Sequence, residues 1–241
     1  MDEIFDELMM ELEGTFRRLE GQAPQPVKEE FKDGFILRYV EQTPQQAMLQ
    51  KFARLISGLH AIRLLLATGF LQEMGVIQRT LDDFEEDILF FAQAIANDEL
   101  TDRHKEYLEY HWMDEKGETA ENRGQIPRKH IRAYVAKHSG DDPSTMIAAG
   151  RSVYKGYSGF VHGSGEAIID MCMTDPPRYF LRGMLDSPLY PDHQDDIWNY
   201  MYRGAVASLA MSRIFGDEDL WEERYSFLKA FEKAYADKIF S

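Results

Sequence analysis

Two stretches of this sequence hold residue types at spacings that chemistry can use. In Gln78-Arg79-Thr80-Leu81-Asp82-Asp83-Phe84-Glu85-Glu86-Asp87, Arg79 and Asp83 stand four residues apart and so share a helix face, as do Asp83 with Asp87 and Asp82 with Glu86. Like charges at that spacing repel unless a cation offsets them. The cluster therefore reads either as a solvated acidic face with one Arg–Asp pair, or as ligands for Mg²⁺ or another hard cation. The second stretch runs from Tyr154 to Gly165 and places Gly156, Gly159 and Gly163 at i, i+3 and i+7. A glycine inside a helix costs about 1 kcal/mol relative to alanine. Three on one face imply close helix packing, or a broken helix whose backbone amides meet a ligand. His162 ends that face, where an imidazole can act as a base, a phosphate ligand or a hydrogen-bonded structural group. Ser158 lies within the same segment.

Charge is distributed unevenly around these stretches. The 241 residues carry a net charge of −15, which opposes non-specific binding to a phosphate backbone. Between Asn122 and Gly165, however, Arg123, Arg128, Lys129, Arg132, Lys137, Arg151 and Lys155 face only Asp141 and Asp142. That segment is expected either to pair with acidic helices of the same fold or to attract RNA, a nucleotide or another anion. Arg132, Arg151, Lys155 and Ser158 are its candidate ligand-binding residues.

Several activities lack their signatures. No Gly-Lys-Ser or Gly-Lys-Thr follows the glycines, so there is no phosphate-binding P-loop. Glu-x-x-His pairs, His-Glu-x-x-His and Gly-x-Ser-x-Gly are all missing, which removes the usual di-iron, zinc-protease and serine-hydrolase patterns. The single cysteine, Cys172, cannot form an internal disulfide or a four-cysteine zinc site. His111 with Glu115, and Asp192 with His193, read as isolated surface residues. No resident metal or cofactor is expected. The acidic start Met1 to Glu7 does not read as a secretory signal, and no run approaches the roughly 20 apolar residues that span a bilayer. A cytoplasmic protein with no membrane partner is the expectation.

The elements that must position these residues read as helices. Ile4, Phe5, Leu8, Met9, Leu12, Phe16 and Leu19 form one apolar stripe over 1–21, and Gly21, Pro24 and Pro26 interrupt it. This helix is expected to stand somewhat apart, followed by a linker-like segment at 22–43 in which Phe35-Ile36-Leu37 forms a short apolar plug. Thr43-Pro44 reads as an N-cap with proline at the first helical position. Two long helices then flank Gly69, and a shorter one opens at Thr101. Further helices start at Pro127 and Asp142-Pro143, and two final ones are separated at Gly216. No alternating strand pattern of useful length is evident. The expected architecture is all-α: a single helical domain over 1–241, a bundle of about eight helices with two long antiparallel central ones.

Leu64 to Glu73 running into Arg79-Thr80-Leu81-Asp82-Asp83, together with Tyr157-Ser158-Gly159-Phe160-Val161-His162-Gly163-Ser164, resembles a group of uncharacterised all-helical bacterial proteins distantly similar to HEPN domains. The resemblance covers roughly residues 44–165. It implies a helical bundle, homodimerisation, a role in bacterial stress or defence, and a site joining Arg79 and Asp83 to His162. Arg79 and Lys155 would bind an anionic group, His162 would donate a hydrogen bond or act as base, and Asp83 would orient one of them. The HEPN ribonuclease mark, an arginine four to six intervening residues before histidine, is not met at His162. The positions there are Lys155, Gly156 and Tyr157. It recurs at Arg54…His60 and Arg132…His138. Three readings follow: a non-catalytic or degenerate HEPN-like binding module, with the helix over 1–21 offered to a protein partner; a HEPN-like ribonuclease or anion-binding enzyme using Arg79 and His162; and a metal-dependent nucleotide hydrolase using the acids at 82–87.

Overall fold

A computed structural model describes residues 1–113, 126–139, 144, 148 and 156–239. It is an all-α bundle with one small hairpin. Helix α1 (Asp2–Glu20) buries Phe5, Leu8, Met9, Leu12 and Leu19, the stripe its spacing calls for. It does not stand apart, because that face packs into the common core against α2 (Pro44–Thr68) and α8 (Tyr190–Phe215). Gly204 of α8 makes this possible. A Cβ there would lie 3.0 Å from both Leu12 of α1 and Leu59 of α2.

The segment 22–43 is more than a linker. Strands β1 (Val27–Phe31) and β2 (Gly34–Arg38) pair antiparallel, with Lys28 opposite Leu37 and Glu30 opposite Phe35. Lys32 (φ 50°) and Asp33 make the two-residue turn between them. The uninterrupted Phe35-Ile36-Leu37 run concealed the alternation. Nor is that run a plug: Phe35 and Leu37 are exposed, and only Ile36 is partly covered.

Thr43 caps α2 by a reciprocal box, accepting from the Gln46 amide at 3.2 Å while the Gln46 side chain accepts from the Thr43 amide at 3.0 Å. Gly69 ends α2 in the left-handed conformation (φ 75°), and α3 (Leu71–Ala96) returns antiparallel. Gly58 thus lies against Leu81, and Lys51 against Asp87. The turn is clasped from a distance: the Met184 amide donates to the Gly69 carbonyl at 2.6 Å, and Gly183 (φ 96°) sits so close to Thr68 that a Cβ would be 2.2 Å from its carbonyl oxygen.

Helix α4 (Asp102–His111) opens on Thr101, whose amide donates to Nδ1 of the fully buried His104 at 3.1 Å. Helix α5 (Arg128–His138) lays Ile131, Val135 and Ala136 inward against α3. Residues 156–162 form α6, and Gly165–Ile169 forms the short α7. Helix α8 packs against α1, α2, α3 and α9 (Glu218–Ile239), so it is as central as the α2–α3 pair. Among the described residues no helix is long and apolar enough to cross a membrane.

Candidate functional site

Helix α3 carries its acids on two adjoining faces with different surroundings. On one, Arg79 reaches Asp83 across one turn at 2.8 Å. Arg128 of α5 binds the same Asp83 oxygen at 2.9 Å, Glu86 at 2.6 Å, and Asp87. Arg132 adds a second contact to Glu86 at 2.6 Å. Asp87 also accepts from the Tyr107 hydroxyl and lies 3.2 Å from Lys51 of α2. Burial works against the Arg128 charge, but Asp87, Glu86 and Asp83 outweigh it and hold the guanidinium more firmly protonated than an ordinary arginine. Arg128 and Arg132 of the basic segment therefore neutralise the acids on this face.

On the other face, Gln78, Asp82, Glu85 and Leu89 follow at i, i+4, i+7 and i+11. They meet a polar stripe on α8: Asp192, Asp196, Asn199 and Arg203, at the same spacing. Between α3, α5, α6, α8 and the end of α9 lies a cavity of about 690 Å³, within the range of small-molecule sites. Leu89, Val135, Ala136 and Ile239 line its apolar side; Asp82, Glu85, Glu86, Arg132, Tyr157, Tyr200 and Arg203 line its polar side. Asp192, Asp195 and Asp196 stand at the more exposed end, where Lys238 lies 3.5 Å from Asp195.

Arg203 is held by Glu85 and by Asn199 at 2.8 Å, and lies 3.8 Å from Asp82. The Tyr200 hydroxyl donates to Asp82 Oδ1 at 3.2 Å, and Tyr157 donates to Asp196 at 2.8 Å. The two tyrosine rings meet edge to face, 6.2 Å apart. Asp82 is only 3% exposed, and its Oδ2 has no hydrogen-bond partner among the described residues. Burial pushes its carboxyl up to about 6 against the opposing pull of Arg203, with Glu85 and Glu86 raising it further. Burial also raises Glu85 and Asp196. One turn before Asp82, the Gln78 side chain is completely buried, and neither amide atom has a partner among the described residues.

The residues singled out from sequence are distributed differently. Arg79 and Asp83 do come together, as an ion pair that Arg128 joins. Helix α6 packs on α3 and α8: Phe160 fills the space left by Gly75, where a Cβ would be 2.7 Å from its ring, and Tyr157 faces α8. His162 is exposed and Ser158 half-buried, and among the described residues neither they nor Arg79 and Asp83 line the cavity. Arg132 does line it, while engaged with Glu86. Lys155 and Arg151 lie outside the described residues, as do Glu115 and the helix start at Asp142-Pro143.

The three glycines do not make one packing face. Gly156 has open space, Gly159 closes on Ser164 and Ala167, and Gly163 (φ 60°) follows the last turn of α6. The two Arg-x5-His matches do not build sites either. His60 pairs with Glu13 at 2.7 Å, whereas Arg54 lies over Phe84. His138 pairs with Glu99 at 3.2 Å, away from the Arg132–Glu86 contact. Asp192 is exposed, as expected of a surface residue, and also lines the cavity, whereas His193 is half-buried beside Asp196. The polar stripe on α8 was the signal that would have found them. No protein-family model, curated protein or solved structure matches the chain.

Proposed function

We propose that this protein is a non-catalytic, HEPN-like helical-bundle binding module, cytoplasmic and homodimeric, that works by holding a small polar ligand in the cavity between α3 and α8. The observation that carries the reading is the cavity's wall: about 690 Å³ bordered by a buried carboxylate with one oxygen unengaged. A buried polar atom without a partner costs on the order of 1–3 kcal/mol, so a bound hydrogen-bond donor there would recover stability. The reading is further supported by the Arg79–Asp83 pair and by Asp83 and Asp87, which are committed to Arg128 and do not line the cavity among the described residues.

Native mass spectrometry of the gently purified protein tests this. A retained small molecule is expected, released on denaturation and lost when Leu89→Trp fills the apolar wall. Retained RNA or metal in place of a small molecule, or retention unchanged in the filled variant, would refute it.

A further inference from the structure

The ligand class follows from how charge and shape divide the cavity, and it rests on the binding reading above. Among the described residues, six carboxylates line it (Asp82, Glu85, Glu86, Asp192, Asp195 and Asp196) against three strong cations, Arg132, Arg203 and Lys238. Those cations are already engaged: Arg132 by Glu86, Arg203 by Glu85, and Lys238 by Asp195. An anionic ligand would meet uncompensated like charge. A neutral ligand would leave the buried Asp82 and Glu85 with Arg203 as the cation between them.

We infer that the cavity binds an aliphatic diamine, one ammonium at Asp82 and the other at Asp192 and Asp196. Three observations beyond the acid count converge on it. The Asp82 carboxylate lines the cavity, and its buried Oδ2 has no hydrogen-bond partner among the described residues. The Tyr157 and Tyr200 rings stand between the Asp82 and Asp196 carboxylates that they bond, and aromatic faces attract an alkylammonium. Leu89, Val135, Ala136 and Ile239 make part of the wall aliphatic, which suits a ligand that carries methylenes.

Binding requires Asp82 ionised. The groups facing it are Arg79, Glu85 and Glu86 on α3, Tyr200 and Arg203 on α8, and Tyr157 on α6. An ammonium would add positive charge to that set and draw the proton off, so affinity falls as pH drops through about 6.

Isothermal titration calorimetry with 1,4-diaminobutane, 1,4-butanediol and succinate separates the possibilities. Saturable 1:1 binding of the diamine alone is expected, weakened at least tenfold between pH 7.5 and 5, and at least tenfold by Asp82→Asn with no loss of thermal stability. Binding of the diol or succinate as tightly as the diamine, or diamine binding untouched by Asp82→Asn, overturns the inference. If the diamine fails but native mass spectrometry shows another molecule displaced by Leu89→Trp, the ligand class is wrong and the cavity reading stands. If no small molecule is retained either, both fall.

Discussion

Asp82 and Asp87 sit five residues apart on one helix, both almost fully buried, yet their surroundings treat them oppositely. Asp87 has Arg128, Lys51 and Tyr107 around it, a set of donors that offsets the loss of water. Asp82 has one tyrosine hydroxyl, a guanidinium 3.8 Å away that is already bound to Glu85, and an oxygen with no partner. One face of α3 is closed by charge balance, and the other keeps a deficit of donors beside an open volume. A buried acid is structural or available according to what the neighbouring helix brings to it, and its own residue type does not decide the matter.

The comparison breaks most easily at Arg128. Arg128→Ala removes the one side chain that ties Asp83, Glu86 and Asp87 together, and truncating one member of a buried ionic network costs about 3–5 kcal/mol. Chemical denaturation reads this as a lower midpoint. A loss under about 1 kcal/mol would mean that this face is merely solvated.

Asp82→Asn should shift stability the other way. The folded-state value of about 6 exceeds the unfolded value of about 3.9, so the native state binds the proton more tightly. Stability therefore falls as pH rises from about 4 to 6, and ionised Asp82 costs up to about 3 kcal/mol above that. The variant is expected to melt higher at pH 7.5 and to show a flatter pH dependence between 4 and 6. Glu85 and Asp196, also raised, would keep part of the slope. A variant less stable than the parent at pH 7.5 would place Asp82 with the structural acids.

The smallest effect belongs to His162→Ala. The imidazole is exposed and outside both acidic environments, so the change is expected within about 0.5 kcal/mol and without effect on cavity binding. Lost binding would return His162 to the site.

The bundle was legible because helices announce themselves by period and punctuation. The α1 stripe, the Thr43 cap, and the Gly69 and Gly216 stops all lie where the spacing puts them. The hairpin was not legible. Its strands carry a solvent-facing apolar pair, Phe35 and Leu37, so the inside–outside alternation that reveals a strand is absent. The local half of the acidic site was visible, since Arg79 and Asp83 are neighbours on one helix. The cavity was not, because its second wall is α8, more than 100 residues further along the chain, and only packing brings Tyr200 and Arg203 to Asp82 and Glu85. The glycine run drew attention to His162. The helix bearing it serves instead to present Phe160 to Gly75 and Tyr157 to Asp196.

The seat of α1 against Gly204 has a consequence during synthesis. The helix is complete by Glu20, but the α8 groove that receives Leu12 begins at Tyr190. At roughly 5–20 residues per second the ribosome needs on the order of ten seconds or more to deliver it. Until then α2 is the helix that can cover the α1 stripe, and Leu12 waits for the α8 surface that buries it.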